Sequence, residues 1–302
     1  MPRVTVITAA YNAAEYLAET IESVLAQTYS DFEYIVVDDG SDDATPDIIA
    51  EYASRIVSLR QPNAGEGAAR NRGFEIATGE YVAIVDADDV WAQEKLECQV
   101  LAMESQPDAG LCYTNGSSIR ADGSVLEAVL VPPHSRLTCL RAMTGQNPLV
   151  TSSVMYRRRF LEARPYRSLP VAADFYVHLK VLWRACEQSV FVDEPLVRYR
   201  VVETSVLRQV DAWERGRLTL KAVEAFIDDM RSEKPVPQDL QRRGVAYSRF
   251  LWAWYCIDGR TRYRFAIGQL VWAVRDDPRL AWRAGRQVAK LTRNALLGAR
   301  GS

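Results

Sequence analysis

Long hydrophobic runs are missing from this chain. The longest uninterrupted apolar stretch, Phe250 to Ile257, is eight residues, far short of the roughly 20 that cross a bilayer as a helix, which excludes an integral membrane protein of that kind. Histidine is scarce, with only His134 and His178, and the five cysteines (Cys98, Cys112, Cys139, Cys186 and Cys256) lie far apart without a C-x-x-C pair. A zinc cluster is hard to build from that set, a disulfide scaffold is excluded, and the thiols are expected to be reduced and structural. The N-terminus has no basic stretch leading into a long apolar one; Val4 to Ile7 goes straight into a strand-like run. The expected address without a secretory signal is the cytoplasm, which leaves open a peripheral position at the inner face of the cell membrane. Phosphate-binding glycine loops are absent too: there is no G-x-x-x-x-G-K-[ST], and no G-x-G-x-x-G after the first strand-like run, which argues against P-loop NTPases and dinucleotide oxidoreductases.

What is present is an ordinary globular mixture of 48% hydrophobic and 25% charged residues over 302 positions, room for one large α/β domain or two smaller ones. The net charge of −2 hides an asymmetry: Gln241 to Ser302 carries 13 Lys and Arg against 3 Asp and Glu, a balance of +10, leaving −12 for residues 1–240. An acidic catalytic body with a basic C-terminal segment follows, the segment facing an anionic membrane or the protein's own acidic part. Arg279, Arg283, Arg286, Lys290 and Arg293 recur at helical spacing, with Leu280, Val288, Leu291 and Leu296 on other positions and Trp252, Trp254, Tyr255, Trp272 and Trp282 nearby, a pattern that suits an anionic bilayer or a solvated face. Nucleic acid is not an expected partner, since the rest of the chain is acidic and no recognition motif occurs.

Strands and helices alternate in the first half. The β-branched run Val4 to Ile7 precedes Asn12 and Glu15, spaced as a capping box, and a helical pattern of Leu17, Ile21, Val24 and Leu25. Tyr34 to Val37 is followed by Thr45-Pro46 opening a helix; Ile56 to Leu59 is a short strand; a loop with Gly65 and Gly67 leads to a helix ending near Gly79; and Tyr81 to Val85 is a buried strand. This order predicts an α/β, Rossmann-like, mostly parallel sheet flanked by helices, with ligands at the carboxyl ends of its strands. Farther on, Gly110 to Thr114 reads as a strand, Asn115-Gly116 and Ala121-Asp122-Gly123 as turns, a helix starts at Asp174, and Val190 to Val192 and Leu196 to Val201 are extended. Beyond Asp211 the pattern is helical, with Ile267, Leu270, Val271 and Val274 on one face.

Acidic clusters stand at those strand ends. Asp86 and Asp88, two apart after a strand, point to one side if the chain stays extended, and two hard oxygen ligands suit Mg2+ or Mn2+ shared with a diphosphate; a helix-capping acidic turn is the plainer alternative. Asp39, an acceptor-only carboxylate, suits the ring N–H of uracil, thymine or guanine, or simply ends a turn at Gly40. Tyr11 could stack on a base or pack; Arg70 and Asn71 could reach phosphate or ribose or sit on a solvated helix face.

The segments Val4 to Asn12, Val36 to Ser41, Asn63 to Gly73 and Gly79 to Trp91, in this order, resemble a family 2 glycosyltransferase of GT-A fold, clearly over residues 3–110 and more weakly to about 205. The resemblance implies a metal-dependent, inverting transfer of sugar from a nucleotide diphosphate sugar, most readily a UDP-sugar, to a glycan or lipid-linked saccharide acceptor. It implies a donor site at Ala9, Tyr11, Asp39, Asn63, Arg70 and Asp86, with Asp39 on the base, Asp86 on the ribose, and Mn2+ or Mg2+ on Asp88 and Asp89. Asp174 matches the base of the family's E-D motif, with Ala173 standing where Glu is frequent; Arg198 or Arg200 would assist the leaving group, although the histidine expected after Arg200 is absent. The implied organisation is residues 1–110 for the nucleotide sugar, 111–210 for the acceptor, and 211–302 as a helical basic segment. A processive synthase is disfavoured by the lack of membrane spans and of Q-x-x-R-W, and a nucleotidyltransferase by the lack of a Gly-rich, Arg-containing loop after the first strand. A sugar-nucleotide or glycan-binding module with a degenerate site is the alternative outside enzymes.

Overall fold

The computed structural model describes residues 1–128, 130–131, 137–144, 149–169, 172–202, 210–258 and 262–298, with the backbone alone at 258 and 291–298. His134, and the side chains of Leu291, Arg293 and Leu296, lie outside what is described. The chain divides into two compact units, one of Met1–Thr138 with Pro148–Glu203, the other of Cys139–Asn147 with Thr204–Ser302.

The first unit is built on a sheet that among the described residues has nine strands. Strands β1 (Val4–Ala10), β2 (Phe32–Asp38), β3 (Val57–Arg60) and β4 (Tyr81–Ile84) are parallel in the order β3-β2-β1-β4. Val4, Val6, Ile7, Ile35, Val36, Val82 and Ile84 are all at 0% exposure, the continuous apolar burial that parallel strands need because both faces are covered. The next strands are antiparallel to their neighbours: β8 (Val154–Arg157) beside β4, then β6 (Leu111–Ile119) beside β8. β9 (Ser189–Arg200) runs parallel to β6 and carries the short antiparallel β5 (Val90–Trp91) at the edge, while β7 (Val125–Glu127) forms a hairpin with β6. On one face α1 (Leu17–Leu25) and α4 (Lys95–Ser105) bury Leu17, Ile21, Val24, Leu96, Val100 and Met103 against Val6, Val36 and Ala83. α3 (Glu66–Ile76) lies against Ile7, and only glycine fits at position 73, where a Cβ would be 2.7 Å from the Ile7 Cγ2. α2 (Thr45–Glu51), α5 (Cys139–Met143, assigned to the second unit) and α6 (Ala173–Arg184) complete this stretch of chain.

Three local expectations change. α1 starts at Leu17, not after Asn12; Asn12 has φ 47° and its side chain accepts from the Asp42 N–H across to the next loop, so no capping box forms. Asn115-Gly116 is not a turn but a bulge inside β6, where Asn115 bonds to the Val131 backbone and Gly116 leaves room for the Val197 carbonyl. The two extended pieces after 189 are one twelve-residue strand.

In the second unit α7 (Ala212–Glu233) is capped by Asp211, whose side chain accepts from the Glu214 N–H at 2.7 Å. It is followed by α8 (Gln238–Asp258), α9 (Tyr263–Asp276) and α10 (Ala281–Gly298). Phe250, Ala253 and Ile257 pack with Ala266, Leu270, Ala273, Leu280 and Ala284. The expected apolar face of α9 is therefore split: Leu270 is buried, but Ile267 is 45% and Val271 63% exposed, because the small residues Ala266 and Ala273 permit the closer approach. Among the described residues no helix is long and apolar enough to cross a membrane.

Candidate active site

Two loops at the carboxyl ends of β1 and β2 are tied together. The Asn12 N–H donates to Ser41 Oγ (3.0 Å), the Asp42 N–H to Asn12 Oδ1 (3.0 Å), and the Ala13 N–H to Thr45 Oγ1 (2.8 Å). Asp39, 2% exposed, accepts from Gln61 Nε2 (2.7 Å), the Ala64 N–H (3.0 Å) and the Gly65 N–H (2.8 Å). These contacts fasten the 61–65 loop across the end of β2, with Asn63 exposed on it. Asp38 does not share the role, since it accepts from the Ser41 N–H and pairs with Arg60 at 3.2 Å. Ala9 is half-buried in β1, and Tyr11 just beyond is 51% exposed.

The centre of the site is Arg70 on α3, with only 2% of its side chain exposed. Its guanidinium donates to Asp86 Oδ1 at 2.6 Å and to Asp174 Oδ1 at 2.8 Å, and pairs with Glu66 one turn earlier on the same helix. The Tyr166 ring lies 5.3 Å from the guanidinium, and the Tyr166 hydroxyl also donates to Asp174 Oδ1, at 2.9 Å. Three residues expected from sequence, Arg70, Asp86 and Asp174, thus meet although 104 positions separate the first from the last. Asp174 stands at the second position of α6 and makes no cap, so its carboxylate is free for these partners. Burial, the largest single influence, would push Asp174 up, but the Arg70 charge, His178 and the hydrogen bonds from Tyr166 and Arg70 together hold the carboxyl below its ordinary value. Asp86 goes the other way, raised by burial with Asp174 adding to it.

Asp88 follows, half-buried, and among the described residues no side chain hydrogen-bonds to its carboxylate. Burial and then the neighbouring Asp86 push it up to about 6. Asp89 is placed differently from Asp88: it is 0% exposed and accepts from Ser152 Oγ at 2.5 Å and the Arg200 N–H at 2.8 Å, joining β9 to the acidic turn. Arg200, 2% exposed, donates to the Asp88 carbonyl at 2.8 Å and to the carbonyls of Arg120 and Ala121, and pairs with Glu19 at 2.5 Å. It supports the turn from behind, whereas Arg198 is half-exposed and 3.7 Å from Glu19. Asn71 is also structural: its amide donates to the Tyr166 carbonyl and accepts from the Tyr166 N–H.

Sequence reasoning missed Glu66, Tyr166 and His178. Glu66 and Arg70 are four apart on one helix, as are Asp174 and His178, a spacing that brings side chains together; nothing in the sequence pointed to Tyr166. His178 is 2% exposed, stacks on Tyr156 at 5.9 Å, and is pushed down to about 4 by burial. Among the described residues no three His, Cys, Asp or Glu form a metal cage. The Asp88 carboxylate, open beside Asp86, nonetheless fits a hard divalent cation that takes most of its ligands from phosphate and water.

A parallel α/β sheet with acidic residues over the ends of β2 and β4, joined to a mixed second half, defines a GT-A-like fold. TarS residues 1–349 of S. aureus, in complex with UDP-GlcNAc, superimposes with a TM-score of 0.72 at 19% identity, over 97% of this chain and 89% of that one. The mannosyltransferase PcManGT of Pyrobaculum calidifontis, in complex with GDP-Man and Mn2+, gives 0.59 at 20% identity, over 99% and 85%. The chain belongs to glycosyl transferase family 2, whose sequence pattern matches residues 5–163. TuaG of Bacillus subtilis, named for teichuronic acid biosynthesis, is 40% identical over 72% of this chain and 86% of its own length. An uncharacterised glycosyltransferase of Nostoc, alr2836, is 38% identical over 53% of this chain, which covers about half (52%) of that relative. The protein is accordingly a glycosyltransferase.

Proposed function

We propose that the chain transfers a sugar, foremost from a UDP-sugar, to a glycan or lipid-linked saccharide of the cell envelope, inverting the anomeric centre in one displacement. The observation that carries this reading is the meeting of Arg70, Asp86 and Asp174 within 2.6–2.8 Å contacts beside the open Asp88 carboxylate. The nucleotide sugars bound by TarS and PcManGT support such a donor, and the name of TuaG supports an envelope polysaccharide acceptor.

Asp39 is assigned to the base. A carboxylate has about four acceptor sites, and the loop donors leave capacity for one more N–H. Ala9, Tyr11 and Asn63 line the nucleotide, and Asp86 takes the ribose. Residues 1–110 thereby serve the donor and 111–210 the acceptor, with Asp174 as the base that removes the acceptor hydroxyl proton. Held low, Asp174 is ionised at neutral pH. The donor diphosphate competes for the Arg70 guanidinium, and as that charge turns to phosphate, Asp174 becomes the stronger base. Mg2+ or Mn2+ on Asp88 would offset the charge that grows on the leaving diphosphate.

The test is calorimetric titration of UDP, GDP and dTDP with and without Mn2+ into wild type, Asp88→Ala and Asp174→Asn. One nucleotide should bind in a metal-dependent way, and Asp88→Ala should abolish it while Asp174→Asn keeps it. Failure of every nucleotide to bind well-folded protein would overturn the reading.

A further inference from the structure

Beside the helical core already described, α9 and α10 leave apolar side chains exposed: Tyr263, Ile267, Val271 and Trp272 of α9, and Trp282 and Val288 of α10, Trp282 by 71%. Steps of four place Tyr263, Ile267 and Val271 in one row. Cations accompany them: Arg264, Arg275, Arg283 and Arg286 are exposed, and between residues 262 and 290 the only acids are Asp276 and Asp277. Asp277 is buried and accepts from the Arg279 side chain at 2.6 Å, so little negative charge offsets the arginines.

The pairing of residue types on this surface matters. The Arg275 guanidinium lies 4.7 Å from the Trp272 ring, and that of Arg286 lies 5.0 Å from the Trp282 ring. Arginine beside tryptophan also occurs in protein–protein interfaces; what points to a bilayer is the surplus of exposed arginines with almost no acid to balance them, because an anionic lipid surface attracts such cations while its headgroup boundary takes the aromatic and aliphatic side chains beside them. Exposed aliphatic side chains in the same row supply the apolar area that electrostatic attraction alone would lack.

We infer that this face of α9 and α10 docks on an anionic lipid bilayer. The apolar row enters the headgroup boundary, and the arginines meet lipid phosphates. The inference extends the proposed lipid-linked acceptor but stands on the surface itself.

Flotation of the full chain with vesicles of phosphatidylcholine alone, or of equal parts phosphatidylcholine and phosphatidylglycerol, tests it. The variants are Val271→Asp with Trp272→Ala, and Arg275→Glu with Arg286→Glu, all at exposed positions outside the donor site, with folding verified by circular dichroism. Wild type should float with the anionic vesicles only, and less so at high salt. Each cation removed should weaken binding about fivefold, and the apolar double variant should lose about tenfold. No flotation of wild type, or flotation unchanged in both variants, overturns the inference. Self-association abolished by Val271→Asp without vesicle binding also overturns it and gives the face to a second copy. Nucleotide titration run on the same samples is independent of these outcomes, so failure here and failure of the donor site are told apart.

Discussion

Gly40 has φ +80°, and a methyl group there would lie 2.7 Å from the Asn63 nitrogen. Gly40→Ala is expected to cost about 1–3 kcal/mol of stability in urea unfolding and, by pushing the 61–65 loop off Asp39, to weaken nucleotide binding as well; unchanged affinity would separate Asp39 from the base site. Asp174 allows a sharper separation. If it removes the acceptor proton, Asp174→Asn should lower kcat by about 10²–10⁴ with the nucleotide Kd little changed. A merely structural Asp174 would instead show lost stability, since the buried Arg70 guanidinium would lose the charge paired with it at 2.8 Å, with kcat of the surviving folded protein near wild type. Asp88, Asp86 and Asp39 were legible as candidates because acidic residues after apolar runs stand out. Asp89 looked equivalent in sequence, yet its buried carboxylate is taken by Ser152 Oγ and the Arg200 N–H, the latter on β9 more than 100 residues away.

Among the elements, β9 has the most to do with the acidic turn. Its last residue, Arg200, binds the Asp88 carbonyl, the 120–121 carbonyls and Glu19 together. Lysine keeps the charge but lacks the planar fork, so Arg200→Lys is expected to reduce metal-dependent nucleotide affinity about tenfold while far-UV circular dichroism stays unchanged. If affinity held and only stability fell, Arg200 would be a core ion pair and nothing more. Asn71 makes the corresponding tie between α3 and the Tyr166 segment. Asn71→Ala leaves a buried N–H and a buried carbonyl unpaired and should destabilise by about 2–4 kcal/mol, read as a lower urea midpoint. Strand and helix positions in residues 1–85 could be read from apolar periodicity because each element there is short, local and bounded by turn residues, whereas α4 (Lys95–Ser105), with a weak apolar pattern, was not legible. The stretch from 110 to 200 was less legible: Asn115-Gly116 reads as a turn yet lies in a bulged strand, because a neighbouring strand and the Val131 backbone satisfy its polar groups.

For the molecule as a whole, the response of stability to pH carries a signature of one buried cation. Lys95 is 0% exposed, donates to Gln99 Oε1 at 2.6 Å and sits 3.8 Å from the Trp91 ring centre; burial pushes it down to about 7. Between about pH 7 and pH 10 the unfolded chain therefore holds a proton there that the folded chain has released, and stability rises with pH through that window. Below about pH 7 both states are charged and the contribution is flat. Set against Lys95→Met, which has no such group, wild type should gain up to about 1.4 kcal/mol per pH unit on going from pH 7 to 10; a difference independent of pH would show that Lys95 keeps its ordinary value. The sequence by itself determined the α/β class, the acidic strand ends, the charge asymmetry and the helical basic segment, because periodicity, composition and motif order are properties of neighbouring residues. Only the tertiary structure decided that Arg70 joins Asp86 to Asp174, that Asp88 stays open while Asp89 is consumed in the core, and that Ile267 and Val271 face outward. Each of those depends on which distant segment arrives beside a side chain, and a buried charge takes whichever partner the packing brings within hydrogen-bond reach.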